Sequence, residues 1–92
     1  MTVRWTATAL HDLDSLHAYI REDNPIAAEA TVERVLAGIE AVSKHPEMGR
    51  RGRVAFTREL VIPPFIIAYR LRRDAVDILA IIHGARRWPD RF

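Results

Sequence analysis

The residue types best suited to chemistry stand close together near the end of the sequence: His83, Arg86 and Arg87, with Trp88 beside them. An imidazole titrates near neutral pH and can pass a proton. A guanidinium presents a planar fork that matches phosphate or carboxylate, and an indole offers a face to a base or a cation. Arg58 and Arg70 lie in aliphatic, strand-like runs, while Arg50, Arg51 and Arg53 crowd a glycine-bearing segment from Gly49 to Arg53. Together they form a candidate surface for phosphates, bases or an acidic partner, because guanidiniums are costly to bury unpaired. Two of these residues also have plainer roles. His83 suits a structural hydrogen bond at a strand end, and Trp88 suits capping a sheet as well as it suits stacking.

No other constellation competes. His11 and His17 are six residues apart on a helical stretch and so on different faces, His45 precedes Pro46, and no His-Glu-x-x-His pattern occurs. No metal or other cofactor is expected. Ser15 and Ser43, the only serines, fall inside helical patterns and not at a strand-to-helix turn. Gly49-x-x-Gly52 is too short for a Walker-type phosphate loop. Cysteine is absent, which removes disulfides, thiolate zinc sites and thiol nucleophiles. No apolar run approaches the roughly 18 residues of a membrane span, and no signal-peptide core is evident. The expectation is a soluble, cytoplasmic chain with no membrane partner.

The charge is segregated. Residues 1–43 carry three basic groups against seven acidic ones, a net of −4, and residues 44–92 carry eleven against five, a net of +6. All the cations but Lys44 are arginine. A basic working surface is therefore expected from the second half.

The elements that must position this surface can be read from periodicity. Thr2 to Trp5 is extended, and Thr6 or Thr8 can cap a helix in which Ala9, Leu13, Leu16 and Ile20 recur at helical spacing. Asn24-Pro25 ends that helix and opens a second, with Pro25 suited to the first helical position and Ala28, Val32, Val35, Ile39 and Val42 on one stripe. Pro46 and Gly49 close it, and Gly49 to Arg53 reads as a loop. Arg58–Ile62, Phe65–Leu71 and Val76–Ile82 read as strands, with a break at Pro63-Pro64 and a turn at Arg72–Ala75. Trp5 and Phe65 read as core aromatics. With 49% apolar residues, residues 1–92 are expected to form one α+β domain. Its order is β-α-α-β-β-β, a helical hairpin on a small, mainly antiparallel sheet.

Several fragments in order resemble the RelE/ParE family of bacterial toxins. They are Trp5-Thr6 leading to Ala9-x-x-Asp12-Leu13, then Tyr19-Ile20 and Asn24-Pro25-x-Ala27-Ala28. Next come Pro46-Glu47-Met48-Gly49-Arg50, Thr57-Arg58-Glu59-Leu60, Ile66-Ile67-Ala68-Tyr69-Arg70 and His83-Gly84-Ala85-Arg86-Arg87-Trp88. The resemblance implies the toxin of a type II toxin–antitoxin pair, neutralised by a cognate antitoxin that wraps it. It also implies one of two activities. RelE-like members are ribosome-dependent ribonucleases acting on messenger RNA, for which Arg58, His83 and Arg86 would be the catalytic candidates here. ParE-like members poison DNA gyrase. The ribonuclease pattern carries a cation just before the tyrosine of the central strand, whereas Phe65-Ile66-Ile67-Ala68-Tyr69 has none, and no tyrosine follows Arg86-Arg87. The expectation is thus ParE-like inhibition of gyrase, with the ribosome and messenger RNA as the alternative targets and a non-toxic binding module as a third reading. The expected target surface is Arg58, Arg70, His83, Arg86, Arg87 and Trp88, with Arg50, Arg51 and Arg53 as an anion-contact loop.

Overall fold

Thr6 joins the first strand, the first helix and the centre of the sheet. Its hydroxyl oxygen accepts from the Ala9 N–H at 3.1 Å, capping the helix, while its O–H donates to the Ile78 carbonyl at 2.8 Å, with the Leu79 carbonyl at 3.2 Å. In the computed structural model, which describes residues 1–92, the chain forms seven elements. They are β1 (Thr2–Trp5), α1 (Ala7–Asp23), α2 (Pro25–Lys44), β2 (Arg50–Arg51), β3 (Arg58–Ile62), β4 (Phe65–Leu71) and β5 (Ala75–His83). Asn24 serves both helices: its N–H donates to the Ile20 carbonyl at 2.9 Å, and its side chain accepts from the Ala27 N–H at 3.0 Å. Pro25 takes the first position of α2, where no N–H is needed. Thr6→Ala removes a cap and a bond to the sheet at once. It is expected to lower unfolding free energy by about 1–2 kcal/mol, measured by urea denaturation.

The sheet order is β1-β5-β4-β3-β2. β1 runs parallel to β5, and every other pair is antiparallel. β2 corrects the sequence reading, which took Gly49 to Arg53 as a loop. Arg50 and Arg51 pair with Glu59 and Arg58 at the sheet edge, but two residues carry no periodicity that could announce a strand. The architecture is therefore β-α-α-β-β-β-β. Both helices lie on one face, over Val3, Trp5, Leu60, Ile62, Phe65, Ile67, Tyr69, Leu71, Val76, Ile78 and Ile81. α2 approaches β3 at Gly38, where a Cβ would sit 2.9 Å from the Leu60 side chain.

A bulge explains how Ile78 and Ile81 share that face despite their odd spacing. The register steps from Ala68↔Ala80 to Tyr69↔Ile78, which leaves Leu79 as an extra residue on β5. β1 pairs no further than Ile78. Beyond it, Asp12 of α1 accepts the Ile81 N–H at 2.9 Å, so an amide that β1 does not reach is satisfied by a side chain. The second face has no helix, yet Ile66, Ala68, Ala80 and Ile82 are buried there. The residues after β5 turn back across it, bringing Trp88 to Arg53, and Pro89 and Phe92 line a shallow pocket together with Ala80 and Ile82.

Candidate functional site

The basic residues resolve into two places. The first is the β2–β3 edge, built around the buried carboxylate of Glu59. Arg50 donates to Oε1 from Nε at 3.1 Å and from Nη2 at 2.9 Å, and Arg53 donates to Oε2 from its backbone N–H at 2.8 Å and from Nε at 3.2 Å. Burial alone would raise the Glu59 carboxyl. The bonds from Arg53 and Arg50 outweigh it and hold the group below the usual carboxylate range. The Arg53 guanidinium also lies 3.9 Å from the Trp88 ring centroid, and Phe92 meets Trp88 edge-on at 6.5 Å. Trp88 thus folds back to the β2–β3 edge, where its ring meets Arg53 and not the neighbouring Arg86 and Arg87. Its Nε1 is buried without a hydrogen-bond partner.

Behind this edge Tyr69 is fully buried. Its O–H donates to the Pro46 carbonyl at 2.8 Å and accepts from the Gly49 N–H at 2.9 Å. Burial raises its pKa above the ordinary phenol value, against the opposing pull of the Gly49 N–H and Arg58. Arg58 donates to the Gly49 carbonyl at 2.7 Å and the Glu47 carbonyl at 3.3 Å. It therefore makes no pair with Glu59, the local ion pair its sequence position invites.

The second place is a groove of about 850 Å³ between α1 and the far end of β4–β5, lined among others by His11, Asp12, Tyr19, Phe65, His83 and Arg86. His83 meets Phe65 edge-on at 5.7 Å, and its Nδ1 accepts the Ala85 N–H at 3.1 Å. His11 lies within reach of Ser15, at 3.4 Å. No three histidine, aspartate or glutamate side chains converge as a metal site.

The two places are well separated. Arg58 is in register with Tyr69 and His83 with Phe65, four residues away along β4, which is about 13 Å of strand. Of the expected surface, His83 and Arg86 share the groove, and Arg86 and Arg87 line a shallower pocket under Phe92. Arg50, Arg53 and Trp88 meet at the edge. Arg70 stands apart on the second face, in register with Asp77 and outside any ion pair, because Arg4 and Arg72 take that carboxylate at 2.8 and 2.9 Å. Those two bonds hold the Asp77 carboxyl low. Arg51 is exposed and unpaired.

Sequence reading missed Glu59 and Asp77 as the carboxylates that each bind two arginines. Their only signal is that they are isolated acids in a basic half. It also missed Phe56, whose position nothing in the local pattern marks.

Comparison with known proteins gives matches named for both ParE and RelE toxins of type II toxin–antitoxin systems. The pattern that defines the family "ParE toxin of type II toxin-antitoxin system, parDE" matches residues 3–88. A putative toxin, Y4kP, of Sinorhizobium fredii is 45% identical over 89 residues, covering 95% of this chain and 92% of the relative. Among solved structures, the chromosomal ParDE toxin–antitoxin system of P. aeruginosa superposes with a TM-score of 0.80 at 24% identity, over 90% of this chain and 95% of that one. The toxin–antitoxin complex RelBE2 of Mycobacterium tuberculosis gives a TM-score of 0.62 at 29% identity, over 89% and 95%.

Proposed function

Because the chain belongs to the ParE toxin family of type II toxin–antitoxin systems, we propose that it acts on DNA gyrase in the cytoplasm and is held inactive by a cognate antitoxin. The observation that carries the gyrase reading is the separation of the catalytic candidates. General acid–base cleavage needs its groups within hydrogen-bond reach of one substrate. Arg58 is committed to two backbone carbonyls at one end of the sheet, and His83 and Arg86 line a groove at the other. A toxin that works by binding needs no such convergence. Purified chain added to gyrase is expected to slow the supercoiling of relaxed plasmid, and unchanged supercoiling at excess toxin removes this reading.

The antitoxin contact is assigned to the same groove and the adjoining face of the hairpin. Tyr19 and Ile26 are 75% and 83% exposed there, as expected of side chains that a partner's extended or helical segment covers. A second reading, a ribosome-dependent ribonuclease, draws on His11, His83 and Arg86 lining one groove. Messenger RNA that stays intact in a translating extract with toxin present disposes of it.

Arg86→Ala with Arg87→Ala removes two unpaired cations from the proposed target surface and breaks no ion pair. The double variant is expected to raise the induction level needed for growth arrest about tenfold, at an unchanged melting temperature. Arrest at the wild-type level assigns these arginines no part in target binding.

A further inference from the structure

Phe56 is 92% exposed, the most exposed large apolar side chain here. It is also the one non-glycine residue at positive φ, 63°. Both features are unfavourable: an exposed phenyl forgoes burial, and a left-handed backbone brings Cβ against a carbonyl oxygen. Such a conformation persists where the surroundings hold it, and here they do. The Gly52 N–H donates to the Thr57 carbonyl at 2.8 Å, and Thr57 donates to the Val54 carbonyl from its N–H at 3.3 Å and its hydroxyl at 2.7 Å. Arg53 ties the near side to Glu59 through its N–H. Val54 and Thr57 are buried on either side, so the loop is anchored inward at two points and lifts Phe56 outward between them. Gly52 is needed for this closure, since a Cβ there would lie 2.9 Å from the Thr57 carbonyl oxygen.

The charge around the phenyl narrows what it can meet. Of the four arginines on the β2–β3 ribbon, Arg50 and Arg53 share the single Glu59 carboxylate, and Arg58 is bound to the Glu47 and Gly49 carbonyls. Arg51 alone is free. The other three are held by hydrogen bonds within the ribbon, so one guanidinium is left to turn toward a ligand, fewer than a phosphate backbone engages in sequence. It suits a single carboxylate on the rim of an apolar protein pocket. The loop also leads into β3 at the end opposite the hairpin groove, about 17 Å of strand away.

We propose that Phe56 is a preformed docking knob for the toxin's protein target, seated in an apolar pocket with Arg51 paired to a carboxylate on its rim. The inference rests on the toxin reading above but not on the target being gyrase. Because the loop is already ordered, seating the ring costs little conformational entropy.

Phe56→Gly and Phe56→Ala in the full chain test it, read as growth arrest against induction level, affinity for purified cognate antitoxin, and melting temperature. Glycine relieves the φ strain, so Phe56→Gly is expected to melt no lower than wild type and to bind antitoxin equally. Both variants are expected to need about tenfold more toxin for arrest, the usual loss at an aromatic anchor, and Arg51→Glu is expected to weaken arrest in the same direction. Arrest by Phe56→Gly at the wild-type level overturns the proposal. Loss of antitoxin binding in place of toxicity overturns it too, as does a single-stranded oligonucleotide complex or a homodimer that depends on Phe56. If wild-type toxin leaves purified gyrase active while Phe56→Gly still relieves arrest, the knob stands and the gyrase reading falls. If both chains inhibit gyrase and arrest growth equally, the knob falls and gyrase stands.

Discussion

Replacing Tyr69 with alanine is expected to cost about 3–5 kcal/mol, the loss typical of a large buried aromatic. Small domains are stable by only about 5–15 kcal/mol, so much of the chain is expected to be unfolded at 37 °C. Tyr69 is at the centre of the helix-facing side of β4 and is fully buried, so its removal leaves a cavity in the core. It also strands two backbone groups, the Gly49 N–H and the Pro46 carbonyl, both now satisfied by the phenol oxygen. Tyr69→Phe keeps the ring and removes only those bonds. It is expected to cost about 1–3 kcal/mol and to loosen the segment between α2 and β2, read as faster amide exchange at Gly49. A Tyr69→Phe chain as stable as wild type, with Gly49 equally protected, would show that the phenol does not fasten this segment.

Glu59→Gln is the second large effect, about 2–3 kcal/mol. The carboxylate is 2% exposed and binds Arg50 and Arg53; a neutral amide leaves both without a counter-charge. The cost stays below that of a fully buried pair because both arginines are about half exposed and can rehydrate. The same substitution changes the response to acid. The folded Glu59 carboxyl is held below its ordinary value, so its contribution is complete above about pH 4.3, the unfolded value. It is lost as pH falls through the lower, folded value. Asp77, held low by Arg4 and Arg72, acts in the same direction. Wild-type stability is therefore expected to fall steeply below about pH 4, and Glu59→Gln is expected to fall less. Parallel pH profiles for the two chains contradict the role given to this carboxylate.

What could be read from the sequence was what local physics decides. Thr6 and Asn24 cap where their side chains compete for the first free amides, and the stripes Ala9–Leu16 and Val35–Ile39–Val42 fall in the core as their spacing requires. Trp5 and Phe65 pack against that core as expected. The ordered toxin fragments, weak one by one, together identified the family correctly. The features that escaped depend on residues distant in sequence or on single backbone choices. β2 exists only because Arg50 and Arg51 meet β3, and the bulge at Leu79 exists only in the register with β4. The return of the tail, which brings Trp88 to Arg53, joins residues that no local pattern relates. The positive φ of Phe56 is imposed by the hydrogen bonds around it and not by its own preference.

This last group bears most on function. Of the seven arginines expected to share a surface with His83, three (Arg50, Arg53 and Arg58) are held by a buried acid or by backbone carbonyls. Arg51, Arg70, Arg86 and Arg87 remain free of ion pairs. Internal hydrogen bonds thus fix part of the basic half in place, while its net charge of +6 is unchanged.

The most direct measurement is the fate of plasmid DNA incubated with purified gyrase and purified toxin, then treated with detergent and protease. The expected result is linear plasmid that appears only when both proteins are present and is lost when cognate antitoxin is added, the product of gyrase held with its DNA broken. Plasmid that is supercoiled normally and stays unbroken at excess toxin, beside messenger RNA cut in a translating extract, would contradict the gyrase reading and place the chain with the ribonucleases.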